Sequence, residues 1–405
     1  MEYTMKQLYD ANVLIDAFNQ SKIGVNWKGS IQKYEINLLE NTYRTQEALK
    51  NGTYHSSPFV EFALSERGKT RWIKSMHIRD RVVQRAICDQ ILLPLFEKKL
   101  IYDNGASMKG KGIDFALERL HKHLQYHYRR FGTEGYIVLI DFTKYFDNIP
   151  HDKLLEEFSC EIHDEQLMRF VEYLISLFEI EVGMLPKVMQ DEFEFGVFDN
   201  LKYNAYLREH PKCLKRSYQS KKLKKSIGVG SQISQIAGVY YPTRIDTYFK
   251  NVKGIHGYGR YMDDTYIICR TKEEAIEYLE KMYELCNELK IFVNKKKTQI
   301  KRIDQPFTFL KIKHRLLSTG KVIRKVSPDT IARNRRKLKR LADKLYRGEL
   351  TYEDCRQAYV SFEGRLKKFN NYTALHNFQQ LHKELFIDGY LAVANQKGDK
   401  QCTIK

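Results

Sequence analysis

Residues 257–270, GYGRYMDDTYIICR, set two adjacent aspartates between two runs of β-forming residues. The alternation on either side predicts a hairpin with Tyr261-Met-Asp-Asp264 at its tip. A second strand signal, the apolar run GYIVLID at 135–141, ends in another carboxylate, Asp141. Each acidic site has an ordinary reading taken alone. Asp-Asp suits a turn, and an aspartate closing a strand solvates its end or caps the next turn. The pair constrains the chain further because 69 Lys and Arg stand against 50 Asp and Glu, a net charge of +19. So basic a chain calls for a polyanionic partner, nucleic acid or an anionic membrane surface. Carboxylates facing a phosphate backbone repel it unless a hard divalent cation mediates. Two such ions about 4 Å apart are what phosphoryl transfer uses.

Composition narrows the partner. The 405 residues are 42% hydrophobic and 13% aromatic, which excludes a disordered basic tail. The length suits two or three structural units. No apolar run approaches the ~20 residues of a membrane span. The opening MEYTMKQLYD lacks the basic and apolar regions of a secretory signal. Seven scattered cysteines without a C-x-x-C pair argue against a zinc site or a disulfide framework and for a reducing cytoplasm. Nucleic acid is the expected partner, with no membrane.

No repeat or low-complexity linker divides the chain. Residues 1–60 read as helices ending in the polar turn Asn51–Pro58, followed by a basic turn, Arg67–Arg71, and a strand, Trp72–Ile78. Helical spacing covers 80–98 and 113–128, with a Gly/Lys-rich loop at Asn104–Gly112 between them. Residues 181–226 are the least regular and end in a basic cluster, Lys212–Lys225. Helices are expected at 234–251 and 272–290, strands near 291–301 and 306–326, and mostly helix from 328 on.

The motifs and their order carry a resemblance. Asp141-Phe-Thr-Lys-Tyr-Phe-Asp147 with Asn-Ile-Pro, Gly230-x-x-x-Ser234, Tyr261-Met-Asp-Asp264, Lys297-Thr298 and Phe309-Leu310 occur in that sequence. Ile78–Ile87 lies upstream of them. From about residue 67 to 380 the chain resembles a reverse transcriptase of the bacterial retroelement type. The resemblance implies an α+β, right-hand polymerase fold with fingers, a palm carrying an antiparallel sheet, and a helical thumb. It divides the chain into an N-terminal helical extension (1–66), fingers (67–134) and palm (135–305, with an insertion at about 181–226). A primer-grip hairpin (306–327) and the thumb with a C-terminal tail (328–405) follow.

It also implies roles. Asp141, Asp263 and Asp264 are the catalytic carboxylates; Asp141, Asp263 and the Phe142 carbonyl hold two Mg²⁺ ions, for which Mn²⁺ can substitute. Lys69, Arg71, Phe146, Gly230, Gln235 and Lys297 face the nucleotide. Phe146 is the gate against a ribose 2′-hydroxyl, and Lys297 protonates the leaving pyrophosphate, although Lys295 and Lys296 compete for that role. Tyr261, Met262, Phe309, Leu310, Arg333, Arg335 and Arg336 contact primer and template. The implied partners are an RNA template (a specific non-coding RNA), a DNA or RNA primer and deoxynucleoside triphosphates, with an accessory protein left open. A core aromatic, a solvated turn and a solvated helix face are the plain alternatives for Phe146, for Lys69 and Arg71, and for the basic helix.

Three departures stand out. Val229 and Gln235 replace the Gln and Pro that usually flank Gly-x-x-x-Ser; a similar change marks diversity-generating retroelements, and defence-associated bacterial reverse transcriptases also drift there. Lys311 replaces the glycine that commonly follows Phe-Leu. Asn204-Ala-Tyr-Leu-Arg-Glu-His210 is two residues longer than the retron Asn-Ala-x-x-His. The expected setting is antiphage defence, with error-prone diversity generation as the alternative. A catalytically idle RNA-binding scaffold is the alternative of another class. Protein priming stays open, since 27 tyrosines offer too many hydroxyls to choose among.

Overall fold

Secondary structure follows the sequence periodicities closely in the N-terminal third. The computed structural model describes residues 3–66, 68–211 and 221–389. Arg67, residues 212–220 of the expected basic cluster and the tail 390–405 lie outside the described residues. Helices Ala11–Ser21, Gly29–Ile36 and Leu38–Lys50 each bury a narrow stripe. The Asp10 carboxylate starts the first by accepting the Asn12 N–H at 2.8 Å, and Phe18 stacks on Tyr34 beneath it.

The described strands are β1 (Val60–Glu66), β2 (Lys69–Ser75), β3 (Tyr136–Asp141), β4 (Ile180–Glu181), β5 (Lys222–Leu223), β6 (Tyr258–Tyr261), β7 (Asp264–Cys269), β8 (Gln299–Arg302), β9 (Phe307–Phe309), β10 (Ile312–Leu316) and β11 (Val322–Val326). With the helices they make a mixed, α+β chain. It folds as two units. One takes residues up to 119, 138–267 and 273–299; the other takes 120–137, 268–272 and 300 onward.

In the first unit β1 and β2 form an antiparallel hairpin from Val60↔Ser75 to Glu66↔Lys69. The strand expected at Trp72–Ile78 therefore begins earlier, inside the expected basic turn, because pairing with β1 rather than local alternation sets its limits. It ends before His77, whose ring caps the helix Ile78–Ile87. That helix continues through a π-helical turn, Cys88–Leu92, into Leu93–Glu97, where Pro94 cannot donate a backbone N–H.

The sheet that positions the acidic residues has the order β6-β7-β3-β8. In β3, Ile137, Val138 and Ile140 are buried, so both faces of the strand are covered. β6 and β7 pair from Tyr258↔Ile267 to Tyr261↔Asp264, leaving Met262 and Asp263 as a two-residue turn with Met262 at φ +55°. The expected strand near 291–301 shrinks to β8 plus a single bridge between Phe142 and Val293. The almost wholly buried helix Gln232–Tyr240 begins where the Ser231 hydroxyl accepts the Ser234 N–H at 3.1 Å.

Segment 181–226 is more ordered than its sequence suggests. It holds helices Lys187–Phe195 and Asn200–Glu209 and the β4–β5 pair. Ile180, Val182, Leu185, Phe193, Phe198, Tyr203 and Leu223 form a core of its own. Its helices are too short to show a clear period, and the pairing of β4 with β5 spans some forty residues of chain.

The second unit carries the meander β9-β10-β11. Phe309 pairs with Ile312, so Leu310 and Lys311 form a two-residue turn at φ +47° and +66°. Helices Pro328–Tyr346, Tyr352–Lys367 and Tyr372–His382 follow, packed through Leu338, Ala342, Leu345, Phe362, Leu366 and Phe378. Among the described residues no helix is long and apolar enough to cross a membrane.

Candidate active site

Asp141 leaves β3 half-buried and is held from one side by the loop 292–297. Its carbonyl accepts the Asn294 N–H at 2.8 Å, and the Asn294 side-chain amide donates to its carboxylate at 3.2 Å. Two residues on, the Thr143 N–H donates to the Phe292 carbonyl at 2.6 Å. The Lys297 ammonium meets both carboxylate oxygens of Asp141, at 3.0 and 2.8 Å. Pairing of residues 141–143 with 292–294 thus brings Lys297 onto Asp141, while Lys295 lies over the Tyr283 ring instead.

The turn between β6 and β7 delivers Asp263 and Asp264 to the same field. Burial and then the Asp141 charge push the Asp263 carboxyl above the usual range, opposed by Lys69 and Lys297. Burial, followed by the charges of Asp263 and Asp141, pushes Asp264 up to about 7. Two carboxyls raised by burial and by the charge of Asp141 beside them form a site that gains from an added cation. Among the described residues no group of three Asp, Glu, His or Cys side chains is arranged to hold a metal as it stands. The donor set nevertheless fits a hard divalent ion: its oxygens are carboxylates with a peptide carbonyl beside them, and the cation now paired with Asp141 is a lysine side chain.

Beside these residues opens a cavity of about 450 Å³. Lys69 and Arg71 reach it from β2, Phe146 from the loop after β3, Asp263 from the hairpin and Lys297 from the loop before β8. Phe142, Val229 and Asn294 complete the side near the carboxylates. Phe146 packs against Gly238, where a Cβ would come within 2.9 Å of the ring, so the helix Gln232–Tyr240 must be bare at that point.

The Gly-x-x-x-Ser loop arrives differently from the expectation. Val229 lines the cavity, and its carbonyl accepts the Lys74 N–H at 3.1 Å. Gly230, at φ +123°, lies against the Lys74 carbonyl rather than in the cavity lining. Gln235 is exposed on its helix and does not line the cavity. Ser234 is buried, its hydroxyl bonded to the Ile227 carbonyl, which fixes the loop. Tyr261 and Met262 are half-buried at the hairpin. Phe309 (buried), Leu310, Arg333, Arg335 and Arg336 belong to the second unit; Arg335 and Arg336 are exposed and Arg333 is half-buried.

Several residues of the site escaped the sequence reading. Asn294 orients Asp141. Lys144, Asn200 and Leu201 line the cavity, the last two from segment 181–226. Arg260, buried beside the hairpin, donates to the Met262 carbonyl at 3.2 Å. Only Arg260 had an available signal, a charge inside a run of β-formers directly before Tyr261.

Comparison with known proteins supplies the family. The family model described as reverse transcriptase (RNA-dependent DNA polymerase) matches residues 55–314. Protein YkfC of Escherichia coli K12 is 24% identical over 275 residues, 67% of this chain and 70% of YkfC. The group II intron-encoded protein LtrA of Lactococcus lactis subsp. cremoris is 23% identical over 308 residues, 69% of this chain. The aligned part spans half the length of LtrA. With the family match covering well over half of its length, from before β1 to within β10, the chain belongs to the reverse transcriptase family of RNA-directed DNA polymerases.

Proposed function

We infer that the cavity is the nucleotide site of an enzyme that copies RNA into DNA. The observation that carries this reading is the convergence of Lys69 with Arg71, Phe146, Asp263 and Lys297, from four separate stretches of chain, on one space of about 450 Å³. In a right-hand polymerase the sheet β6-β7-β3-β8 is the palm, and residues 67–134 are the fingers. The turn after Phe309 is the primer grip, and the helices from 328 on are the thumb. Arg333, Arg335 and Arg336 would track the template–primer backbone by phosphate contacts that need no base reading.

Lys69 and Arg71 grip the triphosphate from the rim. The Phe146 ring fills the space a ribose 2′-hydroxyl needs and so admits deoxynucleotides. Lys297 holds a proton at Nζ for the departing pyrophosphate, which requires it to exchange Asp141 for a phosphate oxygen. Asp141, Asp263 and the Phe142 carbonyl, supported by Asp264, would hold divalent cations, Mg²⁺ or Mn²⁺. When bound, these supply activation of the primer 3′-hydroxyl and neutralisation of charge on the leaving group.

For the setting we propose bacterial antiphage defence built on a specific non-coding RNA. Error-prone copying in a diversity-generating retroelement is the second reading, favoured by Val229 at the cavity where a glutamine amide is usual. A structured RNA gene beside this one supports the first, and a template/variable repeat pair supports the second.

The test is extension of a primed RNA template with deoxynucleotides and Mg²⁺, run beside Asp263→Ala/Asp264→Ala. Complementary DNA from the wild type alone supports the polymerase. RNA bound equally by both proteins, with no DNA from either, replaces it with the idle scaffold.

A further inference from the structure

Segment 181–226 is stapled to the loop that bears Phe146. The Asn148 side chain makes two hydrogen bonds with the Phe198 backbone: its amide donates to the carbonyl at 3.0 Å, and its oxygen accepts the N–H at 2.7 Å. Lys144 pairs with Asp199 at 3.2 Å. Asp199 also caps the helix Asn200–Glu209 by accepting the Leu201 N–H at 3.0 Å. Between these staples Asn200, 3% exposed, lines the cavity together with Asp147, the residue directly after Phe146, and its side-chain amide and backbone N–H lie on the side of that carboxylate and favour its charge.

Asn200 has a fixed orientation. One turn along the helix, the Asn204 amide donates to the Asn200 side-chain oxygen at 2.7 Å and to its carbonyl at 2.8 Å. With the oxygen occupied, the Asn200 nitrogen is the end left for Asp147. A relay therefore runs Asn204 to Asn200 to Asp147, and it ends one residue from the ring that closes the cavity. On the other side, Gly238 and the Ile227 N–H, which donates to the Phe146 carbonyl at 3.0 Å, hold the same residue.

We propose that Asn200, oriented by Asn204, is a positioning residue for sugar selection: it anchors Asp147 so that the Phe146 ring stands where a 2′-hydroxyl would lie. The proposal rests on the reading of Phe146 as the gate. It gives segment 181–226 a part in substrate choice, through a contact outside the recognised motifs.

The anchored carboxylate is itself perturbed. Burial pushes the Asp147 carboxyl up to about 6, opposed by Lys144 and by the Asn200 amide and N–H, so Asn200 favours its charged form. Without that donor the loop holds a buried acceptor lacking its partner. It relaxes toward water, carrying Phe146 with it.

The experiment measures kcat/KM for deoxy- and ribonucleoside triphosphates separately, by single-nucleotide extension on a primed RNA template with the full chain. Phe146→Val is the control for the gate and lowers the deoxy/ribo ratio on the order of a hundredfold. Asn200→Ala lowers the same ratio about tenfold, the scale of one lost buried hydrogen bond, and Asn204→Ala lowers it less. The swap Asp147→Asn/Asn200→Asp re-forms the contact with donor and acceptor exchanged and restores the ratio lost in either single variant. A collapsed ratio in Phe146→Val with an unchanged one in Asn200→Ala overturns the proposal and leaves the gate standing. An unchanged ratio in Phe146→Val overturns the gate, and the proposal with it. If Asn200→Ala does not fold, the swap decides: failure to restore the ratio lost in Asp147→Asn overturns the proposal.

Discussion

Arg260, on β6, and Asp246 form a fully buried ion pair, Nη2 to Oδ2 at 2.6 Å, at the base of the hairpin that carries Asp263. The same guanidinium donates to the carbonyls of Met262 at 3.2 Å and Val239 at 2.8 Å, and the Tyr258 hydroxyl completes Asp246 at 2.6 Å. The pair thus ties the helix Thr243–Thr247 to the turn that presents Asp263. Removing one partner leaves an uncompensated buried charge. Arg260→Met or Asp246→Leu alone should therefore cost about 3–5 kcal/mol in urea unfolding. The double variant should recover most of that stability without recovering DNA synthesis, because the Met262 carbonyl still lacks its donor.

Lys297 is distinguished from its neighbours by a contact no pattern contains. Lys297→Ala should lower kcat by about 10²–10⁴, the range of a lost general acid. Lys295→Ala and Lys296→Ala should stay within roughly threefold of wild type, since neither side chain lines the cavity. Equal losses across the three in single-turnover extension would reassign the effect to bulk charge.

The Leu310–Lys311 turn holds two non-glycine residues at positive φ, a conformation that costs each about 1–2 kcal/mol. Lys311→Gly should relieve more than glycine's added chain entropy removes. The expected gain is about 0.5–1 kcal/mol, seen as a higher urea midpoint with an unchanged slope.

His314 is 1% exposed in β10, stacked on Phe307, and neither ring nitrogen has a hydrogen-bond partner among the described residues. Burial, with smaller contributions from Arg324 and His121, pushes its imidazole down to about 3. The unfolded chain takes up this proton as pH drops below about 6.5, whereas the native chain refuses it until about 3. Stability from this group is therefore complete above about 6.5 and is lost across that window, at up to ~1.4 kcal/mol per pH unit. His314→Phe should leave a difference from wild type that widens in the variant's favour between neutral and mildly acidic pH. Parallel urea titrations at the two pH values give that difference directly.

The hairpin at Asp263 was legible because alternation of β-formers reports on the backbone that contains it, and β3 for the same reason. The strand at Lys69–Ser75 was misjudged at both ends because its limits come from β1, seven residues of pairing that no local pattern displays. Gln235 looked like a cavity residue by its place beside Ser234, yet helical geometry turns it outward while Val229 lines the space. Segment 181–226 read as irregular because each of its elements is short and its core gathers side chains from Ile180 to Leu223.

The sequence alone determined the family, the order of the motifs and the places of Asp141, Asp263 and Asp264 within them. These depend on which residues stand at which spacing. Only the tertiary structure decided which of three lysines meets Asp141, which end of the Gly-x-x-x-Ser loop faces the cavity, and that Asn200 reaches Asp147. Each of these follows from backbone pairing between distant stretches, 141–143 with 292–294, Lys74 with Val229, Asn148 with Phe198. Such pairings are chosen by the packing of the whole chain, and periodicity within any one stretch carries no record of its partner.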